Sequence, residues 1–315
     1  MNIMKNKSAL RWAYLVMGVF AMLFAGVLYA WSILKAPLAA EFGWGASDLA
    51  LNFTLAMTFF CVGGLLGARL SKKFGHKSAL VLAGVLSAAG FSLTALLNGA
   101  PIIVLYITYG LLAGLGIGIA YNAVISTVNA WFPDKKGLCS GCLMMGFGAS
   151  SLVIGNLASS IMETFDWQTA YLLLGCALGL VLLVTGLILK KPSADTILPV
   201  PEAKKRTSRE DFVAEDRTST AMLRRISFWM AFLCLGLLGA VGSSVISFAR
   251  DLALSVGAQA ALATTLVGVL SVCNGLGRIF TGALFDAKGR RFTMLASNIL
   301  TISAAGVTLL AVTLE

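Results

Sequence analysis

The chain has 315 residues, of which 58% are apolar and only 12% carry charge, and its mean hydropathy is +0.88. That balance excludes a soluble globular domain of this length. The net charge of +10 does not imply a nucleic-acid partner, because the basic residues follow the alternation of loops described below.

Apolar runs bounded by breakers and charges predict nine spans: 12–34, 48–70, 78–98, 101–127, 138–161, 169–189, 226–249, 258–284 and 292–313. Between Ala79 and Pro133, 55 consecutive residues hold no Asp, Glu, Lys or Arg, which is room for two of them. Runs this long, without period-two alternation, are helices rather than barrel strands. The fold class is therefore all-α, a multi-pass membrane protein embedded in a lipid bilayer.

The first run follows Lys5, Lys7 and Arg11 and resembles a secretory signal. Its apolar stretch exceeds 20 residues and further spans follow, so it reads as an uncleaved first helix. Basic residues then cluster in every second loop, at Arg69–Lys77, Lys135–Lys136, Lys190–Arg225 and Lys288–Arg291. Twenty-one of the 24 Lys and Arg fall on that side, which the positive-inside rule makes cytoplasmic, together with the N-terminus. An inner-membrane location is the matching expectation.

The fourth span carries Gly110, Gly114, Gly116 and Gly118, a run suited to close helix packing and not to a nucleotide, since no strand precedes it. The fifth opens on Cys139-Ser140-Gly141-Cys142, read as close packing beside Gly137 and Gly141 rather than redox chemistry. The polar stretch 191–225, rich in proline and mixed charge, reads as a cytoplasmic linker between a membrane half at 1–190 and a second at 226–315.

In the eighth span Arg278 is the only strongly basic side chain within an apolar run. A charge at that depth costs about 2.5–3.5 kcal/mol on insertion scales, so it usually faces a water-filled path or a counter-charge. Asn274 lies one turn earlier on the same face. Tyr29 and Tyr121, within the first and fourth spans, offer hydroxyls and ring faces to a central cavity; Trp31, Asn52 and Asn122 are further candidates. Each has an alternative: Arg278 can pair with backbone carbonyls or reach the surface near Asp286, the aromatics can pack, and the asparagines can join helices.

An internal repeat joins the halves. Residues 68–77, Ala-Arg-Leu-Ser-Lys-Lys-Phe-Gly-His-Lys, align with residues 282–291, Gly-Ala-Leu-Phe-Asp-Ala-Lys-Gly-Arg-Arg, at an offset of 214. The second copy, with Gly282, Asp286, Gly289, Arg290 and Arg291, resembles the loop signature of the major facilitator superfamily. The first keeps Gly75 and Lys77 but departs from the signature with Ala68 for Gly and Lys72 for Asp. In that family the loop Asp caps a neighbouring helix as a conformational latch, so the resemblance implies that these positions are gating residues.

A narrower resemblance rests on Tyr29-Ala30-Trp31-Ser32, on Trp131-Phe132-Pro133-Asp134-Lys135-Lys136-Gly137 with Ser140-Gly141, and on Asn274-Gly275-Leu276-Gly277-Arg278. Together they are similar to the oxalate:formate antiporter family. That resemblance implies a secondary carrier exchanging small carboxylates by alternating access, with Arg278 holding the substrate carboxylate and no cofactor. It also implies a bundle of two six-helix halves, whose second half would end near residue 404, against Glu315 here. Three helices, one bearing a second cationic residue, are expected to be missing. The alternatives that stay open are a non-transporting remnant, a subunit completed by a second chain, and a proton-coupled carrier of another organic solute. No acidic residue is embedded in a predicted span, Asp48 standing at the very start of the second, which argues against carboxylate-based proton coupling. Nor does any acidic pair, metal-ligand cluster or nucleophile with a base suggest an enzyme.

Overall fold

The computed structural model describes residues 2–193, 219–255, 257 and 259–313, and among them every regular element is helical. Most of the predicted linker lies outside the described residues. Two compact units divide the chain: residues 1–200 with 277–293, and residues 201–276 with 294–315.

The first unit contains six helical stretches long and apolar enough to cross a bilayer. The first, Ala9–Phe42, is built from α1 (Asn2–Ala25), a 3-10 turn (Gly26–Ala30) and α2 (Trp31–Phe42). The sequence places its end at residue 34, before Lys35 and Pro37; the structure carries it eight residues further. Leu34 and Leu38, one turn apart and fully buried, supply a packed face that holds the helix through Pro37. It stops at Gly43, whose left-handed backbone ends the last turn.

Next come α3 (Ala46–Lys73) and α4 (Gly75–Ala95), separated by Phe74 alone. Much of the basic loop expected around 71–77 is therefore helix. The same happens at the repeat. The stretch α12 (Ala260–Thr313) is two helices meeting at Gly289, where the sequence predicts a loop over 285–291. Gly75 has φ 85° and Gly289 φ 80°, so the 214-residue offset joins two turns of the same hand.

The fourth crossing runs through α5 (Ile102–Leu105), a π-helical segment (Tyr106–Ala113) and α6 (Gly114–Asn129). Thr94 donates to Thr108 at 2.9 Å where this segment meets α4. On α6, a Cβ at Gly118 would lie 2.1 Å from the carbonyl oxygen of Phe60, so glycine is what lets α3 and α6 touch along their backbones. The fifth crossing breaks at Ala149 between α7 (Lys136–Gly148) and α8 (Ser150–Thr164). The sixth, α9 (Trp167–Ile188), starts at Asp166, whose carboxylate accepts the Thr169 amide at 2.6 Å.

Within the unit α4 packs chiefly on α9 and α3 on α6, around the fully buried rings of Phe91, Tyr109 and Tyr171. Three side chains tie the basic end together. Arg11 donates to Asp134 at 2.8 Å and lies over the Phe132 ring at 5.0 Å. His76 Nε2 donates to the Leu189 carbonyl and Trp131 Nε1 to that of Lys190, both at 2.6 Å.

In the second unit α10 (Ser219–Leu223) precedes α11 (Ile226–Ser255), which runs past the predicted end at 249. Its described apolar portion, Ile226–Ala240, exposes Trp229, Phe232 and Leu235.

Candidate functional site

Helix α7 and the 277–293 part of α12 lie in one unit and meet along a seam of glycines. A Cβ at Gly137 would stand 2.3 Å from the Gly282 carbonyl oxygen, one at Gly282 2.1 Å from that of Gly137, and one at Gly141 2.4 Å from that of Arg278. No larger residue fits these backbones at that spacing, so the seam fixes where the backbone of Arg278 stands. The close packing read into Gly137 and Gly141 is thus packing against this helix.

At one end of the seam α7 begins without a cap of its own, since Lys135 contributes no side-chain hydrogen bond. Asp286 takes the role from across the seam. Its Oδ1 accepts the Gly137 amide at 2.9 Å and its Oδ2 the Leu138 amide at 2.8 Å. Two of the first-turn amides gain an anionic acceptor, and the carboxylate faces the positive end of the helix.

Further along, the Arg278 guanidinium reaches α7 again. Its NH1 donates to the Met144 carbonyl at 2.7 Å, so the backbone alternative considered from sequence is realised for one of its five donors. Among the described residues it makes no ion pair.

Beside it stands Phe147, a ring that sequence reasoning did not single out. Tyr29 meets Phe147 edge-on with centroids 5.1 Å apart, Tyr121 does so at 5.2 Å, and Phe60 tilts against it at 5.8 Å. Phe60 also meets Tyr121 at 5.2 Å. Tyr29 and Tyr121 are therefore brought together on Phe147, with Phe60 completing the aromatic group, and the Arg278 guanidinium lies against Gly148, the next residue of the chain after Phe147. Tyr29 remains 43% exposed. The group offers a guanidinium fork, phenol hydroxyls and ring faces, which suits a compact anion with a flat carboxylate.

Trp31 and Asn52 lie elsewhere. Trp31 is buried, donates from Nε1 to the Leu49 carbonyl at 3.1 Å and packs on Tyr109 at 4.6 Å. Asn52 is fully buried, and its carboxamide has no hydrogen-bond partner among the described residues. Asn122 is half-buried on α6. Asn274, also half-buried, belongs to the second unit. Lys72 and Lys77 are exposed at the ends of α3 and α4, as are Arg290 and Arg291 after the break at Gly289. Among the described residues no three His, Cys, Asp or Glu side chains cluster as metal ligands would.

The signal for the seam was in the sequence: Gly137 and Gly141, four residues apart, fall on one helix face. No such signal marks Phe147 and Phe60, two of 18 phenylalanines in the chain.

The family model of the Major Facilitator Superfamily matches residues 13–315. The oxalate:formate antiporter of Oxalobacter formigenes is 29% identical over 285 residues, which make up 90% of this chain and 65% of that protein. The MFS-type transporter YhjX of Escherichia coli is 28% identical over 286 residues, covering 90% of this chain and 68% of its own length. Human monocarboxylate transporter 11 is 31% identical over 150 residues, 48% of this chain and 31% of that protein. The solved structure of the proton:xylose symporter XylE bound to 6-bromo-6-deoxy-D-glucose superposes with a TM-score of 0.57 at 15% identity, over 89% of this chain and 70% of that one. That last likeness is one of fold.

Proposed function

The chain belongs to the Major Facilitator Superfamily and is a multi-pass membrane protein, and from that premise we propose that it is a transporter that exchanges small carboxylates across the bilayer by alternating access. The observation that carries the reading is the convergence of the Arg278 guanidinium with Tyr29, Tyr121 and Phe147. A guanidinium in a low-dielectric site binds a carboxylate through paired, charge-assisted hydrogen bonds, and surrounding rings limit the solute to a few carbons. The names of two relatives, an oxalate:formate antiporter and a monocarboxylate transporter, support the same substrate class.

In this proposal Arg278 holds the carboxylate, and Tyr29 and Tyr121 supply hydroxyl donors. Asp286, Gly282 and Gly289, with Arg290 and Arg291, latch α12 to α7 on the cytoplasmic side of an inner membrane, where the N-terminus also lies. Lys72, Gly75 and Lys77 form the weaker counterpart of that latch. The membrane halves 1–190 and 226–315, joined by the linker 191–225, are proposed to rock about the site.

The test is uptake of labelled oxalate and formate into proteoliposomes preloaded with the same anions or left empty, with Arg278→Gln alongside. Counterflow that vanishes in the variant is expected. Equal uptake by both proteins would sink the assignment of Arg278, and no carboxylate movement in any arm would sink the substrate class. The chain spans 65% of the antiporter's length, so a third arm co-reconstitutes the remaining C-terminal helices of a relative, which tests whether a second chain completes the carrier.

A further inference from the structure

The seat of the Arg278 guanidinium is made by what Gly148 lacks. A Cβ at this position would lie 3.1 Å from NH1 and 3.5 Å from Cζ of Arg278, and the first of these is closer than nine in ten real contacts of that kind. Gly148 is the last residue of α7, one turn after Met144, whose carbonyl receives the guanidinium at 2.7 Å. The next residue, Ala149, interrupts the helix, and Phe147 on the other side carries the rings of Tyr29 and Tyr121. The backbone of Arg278 is held independently, where its carbonyl faces Gly141. The arginine is thus fixed at two points, backbone at Gly141 and charged end at Met144, with Gly148 keeping the second point open.

We propose that Gly148 is a positioning residue for the substrate-binding arginine: its missing side chain lets the guanidinium dock edge-on to α7, beside the aromatic group. One donor is spent on the Met144 carbonyl, and this orients the rest of the fork. The role in substrate affinity rests on the carboxylate reading above; the seat itself does not.

Substituting Gly148→Ala is mild for the fold. The atom a methyl would press against is the far end of a flexible side chain, and alanine is the better helix former. It therefore moves the guanidinium without removing it. Two readouts in the full chain follow. The first is the rate at which phenylglyoxal modifies Arg278 in membranes, followed by mass spectrometry of the peptide. Losing one hydrogen bond to a charged group frees the guanidinium about tenfold more often, so Gly148→Ala is expected to speed labelling by about that factor. The second is the half-saturating oxalate concentration for exchange, expected to rise about tenfold while the melting temperature stays level or rises. In an Arg278→Lys background, which lacks the planar fork, Gly148→Ala should add nothing to that concentration.

Equal labelling rates with and without the methyl would overturn the seat. So would an affinity loss of the same size in both backgrounds, which marks a purely structural residue. If no carboxylate is exchanged by the unaltered chain yet labelling still quickens in Gly148→Ala, the seat stands and the carrier reading falls.

Discussion

The carboxylate of Asp286 accepts the backbone amide of Gly137 at 2.9 Å, a contact between residues 149 apart in sequence that begins one helix with a side chain from another. Capping is normally local, supplied by the residue just before the helix. Here Lys135 occupies that place and cannot serve. Any movement of 277–293 away from α7 therefore uncovers amides that have no substitute.

Replacing Asp286 by alanine should cost about 1 kcal/mol, the usual value of an N-cap. The substitution Asp286→Asn makes a useful second variant, since it keeps one acceptor while losing the charge that faces the helix dipole. Thermal unfolding in detergent ranks the three proteins, with alanine lowest. Maleimide labelling of the half-buried Cys142 on α7 should quicken in the same order.

Arg11 and Asp134 are 9% and 14% exposed at the side chain, close to fully desolvated, and Arg11 also covers the Phe132 ring. Removing one partner of such a pair strands the other charge and costs about 3–5 kcal/mol. Arg11→Ala should therefore impair folding, and Arg11→Ala with Asp134→Ala should be less damaging than the two single losses added. Unfolding midpoints of the double-mutant cycle measure the difference.

Gly289 combines φ 80° with ψ 176°, a region that residues with a side chain almost never occupy. Gly289→Ala should cost about 1–3 kcal/mol or straighten the break into a continuous helix. The melting temperature reads the first outcome. Circular dichroism with increased helix content reads the second.

Phe147 joins Tyr29, Tyr121 and Phe60 and is itself buried. Truncation to alanine should cost about 3–5 kcal/mol for the lost burial and the space left behind. In transport it should relax the size limit, so that longer carboxylates compete with oxalate more effectively than they do in the unaltered chain. Competition for labelled uptake across a chain-length series provides the check.

Asp166 lies outside the spans, and hydrogen bonds from Thr169, first from its side chain and then from its backbone amide, hold its carboxyl below the ordinary aspartate range. A depressed value in the folded state means that the contribution is present above the ordinary aspartate pKa. It is lost as pH falls through the depressed one. The stability difference between the unaltered chain and Asp166→Ala should thus be constant near neutrality and shrink in acid. Unfolding midpoints measured from neutrality down into acid follow it.

Charge runs and apolar lengths made the helical crossings readable, but not where the helices end. Hydropathy detects the edge of the bilayer, whereas a backbone keeps its hydrogen bonds as far as sterics allow. Hence α2 runs past Pro37 on the strength of Leu34 and Leu38, and α3 carries its lysines out to Lys73. Arg278 was legible because a charge in an apolar run stands out. Phe147 and Gly148 were not, since their meaning comes from what an arginine far along the chain does. Trp31 and Asn52 stood out in sequence on the same logic of polarity in a span, yet they lie in the interior of the first unit. Polarity tells that a residue avoids lipid, and both a packed interior and a cavity satisfy that condition.

The 3-10 turn at Gly26–Ala30 and the interruption at Ala149 lie against each other, since a Cβ at Gly26 would stand 2.1 Å from the Phe147 carbonyl oxygen and 2.7 Å from Ser150 Cβ. A rod bends most easily where its internal ladder of bonds is cut, and here two rods are cut at the same height and in register. The outer segments α2 and α8 touch one another, and α2 is tied to its neighbours by Trp31, which donates to the Leu49 carbonyl on α3, and by Tyr171 of α9, which donates to the Leu34 carbonyl. The two breaks thus form one joint inside the packed unit. That joint sits against the ring that gathers Tyr29 and Tyr121, so a solute wedged among those rings would act on it with almost no lever arm.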